Sequence, residues 1–327
     1  MKRLLGVAAA LLTTSALAED ATVNAVQLPT FFGTSVGQPV QGLIYRGGLQ
    51  LNSATDTFGG LSAIGFIGTD GKLVTVSDRG NFISGQLIYD EAQTPLSLIG
   101  VGIAPIQNSR GADLPNAFTR DAEALTVIER PDNRSAVRVG FENLTRVADF
   151  HLENGVPIGP ASEVVIPEWI EAARTNESLE AVCIAPPASP VAGSTLLLTE
   201  GVIAGDGAHA GYLLGKNDKG PLSYIAGSGT SPTDCAFLPN GDLLVLERGV
   251  VLISFSARLV RIKAADVKPG AQMTGEVLFE GTGGDLDNME GVAVHTTPSG
   301  ETRITLISDN NFNDWERNLL LEFSLPE

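Results

Sequence analysis

The chain has 327 residues, of which 38 are acidic and 21 basic, for a formal net charge of −17. So negative a chain repels polyphosphate backbones, which excludes nucleic acid as a partner and suits divalent cations. Its 3 histidines, His151, His209 and His295, lie far apart, which argues against a histidine-rich transition-metal site.

In chain order, the first segment reads as a secretory signal. Lys2 and Arg3 form a basic start, Leu4 to Leu12 an apolar stretch, and Ala16-Leu17-Ala18 a small-residue cleavage site. Residues 1–18 are expected to be removed, leaving residues 19–327 as a single periplasmic or secreted domain, about two charges more negative. The apolar stretch is too short to span a bilayer, and no later run is long enough.

From Gly59 onward one unit recurs: a polar or acidic cluster, an apolar run, a turn, a second apolar run and a further acid. The copies begin at Gly59-Gly60-Leu61-Ser62, Arg120-Asp121-Ala122-Glu123, Asn176 to Glu180, Ser231 to Asp234 and Asp287-Asn288-Met289-Glu290. They recur roughly every 55–60 residues, a period of propellers and solenoids. Within each copy the strand signals come in pairs. Ala63–Ile67 and Lys72–Val76 flank Thr69-Asp70-Gly71, and Cys235–Leu238 and Leu243–Leu246 flank Pro239-Asn240-Gly241-Asp242. Third and fourth apolar runs follow, as in Arg258–Ile262 and Glu276–Glu280. Four antiparallel strands per radially repeated unit predict an all-β propeller of five or six four-stranded blades. Helical periodicity is confined to a short stretch, Glu168 to Arg174, behind Pro167. The C-terminal run Leu319–Phe323 gives the last unit only a third strand. Gly42–Tyr45 or Gly47–Gln50 at the N-terminus is expected to supply the fourth and close the ring.

In such a ring Glu123, Glu180, Asp234 and Glu290 stand just before the first strands. Asp78, Glu142, Glu200, Glu247 and Asp309 end the second strands. Gathered at one mouth, ionised acids need a counter-charge. Calcium, with six to eight oxygen ligands, supplies one, and Asn143, Asn288, Asn310 and backbone carbonyls can complete its shell. The alternative is that each acid only caps a turn or pairs with a local arginine. Arg79, Arg120, Arg146 and Arg248 are interleaved with the acids. They either bridge blades or form a cationic rim for phosphate or carboxylate oxygens. No Gly-x-Ser-x-Gly elbow is present, and His209 is the best-placed general base. Cys183 lies three residues after Glu180 and Cys235 one after Asp234, an offset that predicts two buried free thiols despite export.

Several of these pieces resemble the family termed esterase-like activity of phytase. They are Phe58-Gly59-Gly60-Leu61-Ser62, Ser77-Asp78-Arg79-Gly80, Arg120-Asp121-Ala122-Glu123 and Leu244-Val245-Leu246-Glu247-Arg248. The most specific are Asp287-Asn288-Met289-Glu290-Gly291 and Ser308-Asp309-Asn310-Asn311-Phe312-Asn313. The resemblance runs from Tyr45 to Phe323 and implies a secreted or periplasmic propeller-like protein that hydrolyses phosphomonoesters or other esters. Gly249 to Ser256 departs from it, being apolar where a polar loop is expected.

The resulting expectation is a calcium-dependent hydrolase of a small anionic or ester substrate. Its ligands are Glu123, Glu180, Asp234 and Glu290, then Asp78, Glu142 and Asp309. Glu180, Glu290 and His209 are the catalytic candidates, and Arg79, Arg120 and Arg248 the substrate-binding ones. Two alternatives stand beside it: a calcium-dependent lactonase with His209 as base, and a non-catalytic periplasmic binding or scaffold propeller.

Overall fold

A computed structural model describes residues 18–130 and 135–326; the expected signal residues up to Leu17 lie outside them. Five sheets follow one another around an axis, antiparallel except where Gln272–Met273 joins the third in parallel. Blade 1 comprises Leu61–Ile67, Lys72–Ser77, Asn81–Tyr89 and Pro95–Pro105. Blade 2 comprises Ala122–Ile128, Ala136–Phe141, Arg146–Glu153 and Val156–Val164. Blade 3 is built from Leu179–Ile184, Thr195–Ile203, His209–Leu214 and Gly220–Tyr224, and blade 4 from Thr230–Phe237, Leu243–Val251, Ser254–Ile262 and Glu276–Thr282. Blade 5 takes Asn288–Thr296, Thr302–Asp309 and Asn318–Ser324 from the C-terminal end of the chain. Its fourth strand is Leu43–Ser53, paired with Asn318–Ser324. The chain therefore closes its ring through the N-terminal strand, as the strand count predicts. Val23–Leu28 adds to the same blade, and Glu19–Ala21 crosses to the outer edge of blade 1. Both outer edges are thereby covered.

The apolar side chains form five clusters, and each lies between two neighbouring blades. Inner strands are covered on both faces, so they read as continuous apolar runs rather than alternating ones. Gly71, at a φ of +83°, closes the blade 1 hairpin where a Cβ would stand 2.3 Å from the Leu87 carbonyl oxygen. Helix is scarce. One turn, Glu168–Glu171, follows Pro167 as expected, and a second, Ala117–Arg120, is started by an Asn116–Thr119 capping box.

Every inner strand carries a β-bulge at its start. The register slips by one residue between Leu61 and Ala63, Ala122 and Ala124, Leu179 and Ala181, Pro232 and Asp234, and Met289 and Gly291. The extra residues are Ser62, Glu123, Glu180, Thr233 and Glu290. The structural partner of Glu180 in blade 4 is thus Thr233, and Asp234 lies one position further along. This corrects the expectation for the cysteines, which form a disulfide, Cys183–Cys235, with Cα atoms 5.8 Å apart. Counted from the bulges they differ by one residue rather than two. Neighbouring blades pack opposite faces together, and a one-residue difference turns the two side chains towards each other.

Candidate metal centre

The bulges re-aim one side chain per blade and fix the phase of everything around the mouth. Two residues before each bulge stand Gly60, Asp121, Ser178, Ser231 and Asn288. Opposite them, on the second strands, stand Asp78, Glu142, Glu200, Arg248 and Asp309. The equivalence is read from the backbone: Asp78, Glu142 and Glu200 donate their N–H groups to Gly60, Asp121 and Ser178, while Ser231 pairs with Arg248 and Asn288 with Asp309. Three rings of five positions therefore surround the mouth. They hold eight carboxylates (Asp78, Asp121, Glu123, Glu142, Glu180, Glu200, Glu290 and Asp309) and one cation, Arg248.

Oxygens of Asp121, Glu123 and Glu142 lie within 4.8 Å of one another. Glu142 is only 6 % exposed, and its Oε2 is buried without a hydrogen-bond partner; Asp78 Oδ1, on the blade 1 side of Asp121, is likewise unpartnered. Gly60 leaves room for the Asp78 carboxylate, because a Cβ there would lie 2.2 Å from Asp78 Oδ1 and 2.4 Å from the Phe312 ring. Asn143 donates its side-chain N–H to Asp121. Burial, then mutual repulsion, pushes the group's acids up: Asp78 to about 6, Glu142 to about 7, Asp309 to about 8, and Glu123 well above the usual carboxylate range. Burial also raises Glu180. Repulsion from Glu142 and Glu123 raises Glu180 further, and a hydrogen bond couples it to Glu142 so that the two carboxyls titrate as a pair.

A buried, unpartnered carboxylate oxygen beside two other acids fits a hard cation, and the donor set of oxygens alone fits calcium better than a softer metal. Asp121, Glu123 and Glu142 of blade 2 are the residues placed to hold it, with Asp78 of blade 1 next to Asp121.

Arg248 faces the opposite side. Its Nη1 donates to Asn288 Oδ1 at 2.7 Å and to Glu290 Oε1, and its Nη2 lies 4.0 Å from Glu200 Oε1. Burial raises Glu290 to about 7 although Arg248 opposes the shift. Glu247, the neighbour of Arg248, points to the other face. There it accepts hydrogen bonds from Tyr224 Oη, Gly227 N, Thr230 Oγ1 and Arg258 Nη1, a buried knot with no free oxygen. Asp234 is also fully buried, with Oδ1 accepting from Cys235 N at 2.7 Å and Oδ2 from Val292 N at 2.8 Å. Both its oxygens are committed to linking blades 4 and 5, and it does not join the rings.

The other arginines sit outside the rings. Arg79 and Arg120 line an open depression of about 650 Å³ together with Asp78, Asp121, Asn143 and Phe118. The Arg79 guanidinium stacks 3.3 Å above the Phe312 ring, and Arg120 Nε donates to the Leu114 carbonyl. Arg146 is spent on the Leu144 and Thr119 carbonyls and the Phe141 ring. His209 lies on the third strand of blade 3, one strand outward. Its Nδ1 is 2.6 Å from the Glu200 carbonyl oxygen; since a carbonyl only accepts, Nδ1 carries the proton and Nε2 is the basic nitrogen.

The family model for "Phytase-like: Esterase-like activity of phytase" matches residues 56–312. This chain belongs to that family. No curated protein matches this phytase-like chain. Among solved structures it is similar to an endo-arabinase from Bacteroides thetaiotaomicron VPI-5482, at 14% identity over 83% of this chain and 96% of that one, with a TM-score of 0.48. It is similar also to the PQQ-bound aldose sugar dehydrogenase of Streptomyces coelicolor, at 10% identity, 95% and 100% coverage and a TM-score of 0.42. The β-propeller domain of Cps50 (Swd1) from Myceliophteria thermophila gives 9% identity, 82% and 97% coverage and a TM-score of 0.39.

Two acids of this phytase-like mouth, Asp121 and Glu200, fall outside the ligand set expected from sequence. Asp121 carried a signal: it stands two residues before Glu123 on the same strand edge. Glu200 closes a second strand as Glu142 does, and the repeat alone marks it.

Proposed function

We propose that this chain is an exported, calcium-dependent hydrolase of phosphate or carboxylic esters, acting at the mouth between blades 1 and 2. The observation that carries this reading is the unpartnered, buried Glu142 oxygen beside Asp121 and Glu123, Asp121 in turn lining a depression with Asp78 and two arginines. A hard cation held by those acids supplies Lewis acidity to an ester oxygen.

The protein's own groups supply the rest. Arg79, fixed by Phe312, and Arg120 orient an anionic substrate and offset negative charge developing on it. Glu180, raised by burial and by its acidic neighbours, is the carboxyl suited to deliver a proton to the departing oxygen. Glu290, at about 7, and His209 through Nε2 are the groups able to accept a proton on the far side. A signal-like start and a disulfide support export to an oxidising compartment. Among the described residues no helix is long and apolar enough to cross a membrane.

A non-catalytic binding propeller is the second reading, and the internal pairing of Arg248 with Glu290 favours it. Melting the chain with calcium and with chelator, then assaying phosphomonoesters and short acyl esters under both conditions, separates the two. The hydrolase reading expects calcium to raise Tm by on the order of 5 °C and to be required for turnover. A calcium shift without turnover of either ester class leaves the binding propeller. No shift and no turnover would reduce the acids to turn chemistry.

A further inference from the structure

We propose that Arg248 is a built-in cation, standing where a second metal would otherwise bind, and that it confines calcium to the blade 1–2 side of the mouth. This rests on the reading that the mouth holds a hard cation.

The fivefold repeat makes the substitution visible. At the ring position opposite the strand start, four blades place an acid (Asp78, Glu142, Glu200, Asp309) and blade 4 places Arg248. Its guanidinium reaches back among the carboxylates of its neighbours. It touches Asn288 and Glu290 from blade 5 and approaches Glu200 from blade 3. Three oxygen donors thus converge on a positive charge. The two sides of the mouth differ accordingly. Glu290 and Glu200 have a guanidinium within 4.0 Å, whereas Asp121, Glu123 and Glu142 lie against one another, Glu180 and the Asn143 amide, and Glu142 keeps a bare buried oxygen. A guanidinium anchored by its neighbours does not leave, so the charge on its side is permanently offset. One metal then suffices, and its place is set off-axis, next to the depression that Arg79 and Arg120 line. Thr233, in place of a bulge acid, removes a further ligand from the Arg248 side.

If Arg248 were only a lock between blades, its removal would lower stability and leave metal binding alone. If it occupies a cation site, removing its charge uncovers that site. Calorimetric titration of the full chain with calcium chloride alone decides between them. The wild type is expected to bind one calcium, Arg248→Met two, and Arg248→Met/Glu290→Gln one again. In the wild-type background Glu142→Gln weakens binding by about tenfold or more, whereas Glu290→Gln leaves it within about threefold. One calcium in Arg248→Met, or equal losses from Glu142→Gln and Glu290→Gln, overturns the inference and leaves the metal reading standing. A wild-type chain that binds no calcium overturns both. Should Arg248→Met fail to fold, the comparison of Glu142→Gln with Glu290→Gln settles the location of the metal by itself.

Discussion

At the scale of single residues, the acids of this propeller divide by what their oxygens touch. Glu142 retains a bare oxygen, while Asp234 and Glu247 have none. Burial raises Asp234 well above its ordinary range while its two backbone N–H partners pull it back, and both its oxygens serve as acceptors. Asp234→Asn places an amide N–H against one of those donors. The expected loss is about 1–3 kcal/mol, from one buried donor left unsatisfied, or roughly 2–4 °C in Tm per kcal/mol. Calcium affinity, measured by the same titration, is expected to stay unchanged. A loss of affinity comparable with that of Glu142→Gln would return Asp234 to the metal site. The contrast matters because the two residues look alike in sequence: each is an acid at one end of an apolar run, and the structure alone shows which has its oxygens committed.

At the scale of elements, that register is what the sequence hides. The hairpins were legible because glycine turns and paired apolar runs have a local signature, Thr69-Asp70-Gly71 being the plainest case. Ring closure was legible because the last unit is one strand short and the N-terminus has one to give. Bulges leave no such mark. The inserted residue is Ser, Glu, Glu, Thr and Glu in the five blades, so no residue type announces it. In blade 4 an acid happens to follow the bulge residue, and counting acids shifts the phase by one. That single slip places Asp234 and Glu247 at the mouth in error, hides Arg248 among the rims and separates two cysteines that are bonded. The disulfide spans 52 residues between the inner strands of blades 3 and 4. Cys183→Ser/Cys235→Ser is expected to lower stability by about 2–4 kcal/mol, read as a drop in Tm that reducing agent reproduces in the wild type. An unchanged Tm in both would mean that blade packing alone holds that interface.

At the scale of the whole molecule, the fold keeps many acids close together, and pH dependence exposes the consequence. Asp78, Glu142, Glu290 and Asp309 have folded values of about 6, 7, 7 and 8, all raised chiefly by burial above their ordinary 3.8 or 4.5. For such groups the folded chain binds protons more tightly than the unfolded one. Their contribution to stability is complete below about pH 4 and is lost as pH climbs through the folded values to about 8. Carboxylates lowered by partners, such as Asp70, Asp242 and Glu301, act in the opposite sense, but only at the acidic end of that range or below it. The chelated chain is therefore expected to melt higher at pH 5 than at pH 8, the reverse of a protein held by ordinary salt-bridged carboxylates. Calcium inverts the trend, because it binds the deprotonated acids and offsets their repulsion. The rise in Tm on adding calcium is expected to be several degrees larger at pH 8 than at pH 5. Melting curves at the two pH values, with chelator and with calcium, give four numbers that test this. A chelated Tm that climbs from pH 5 to pH 8 would show that these acids already have counter-charges in the folded chain, and that the mouth needs no metal to hold them.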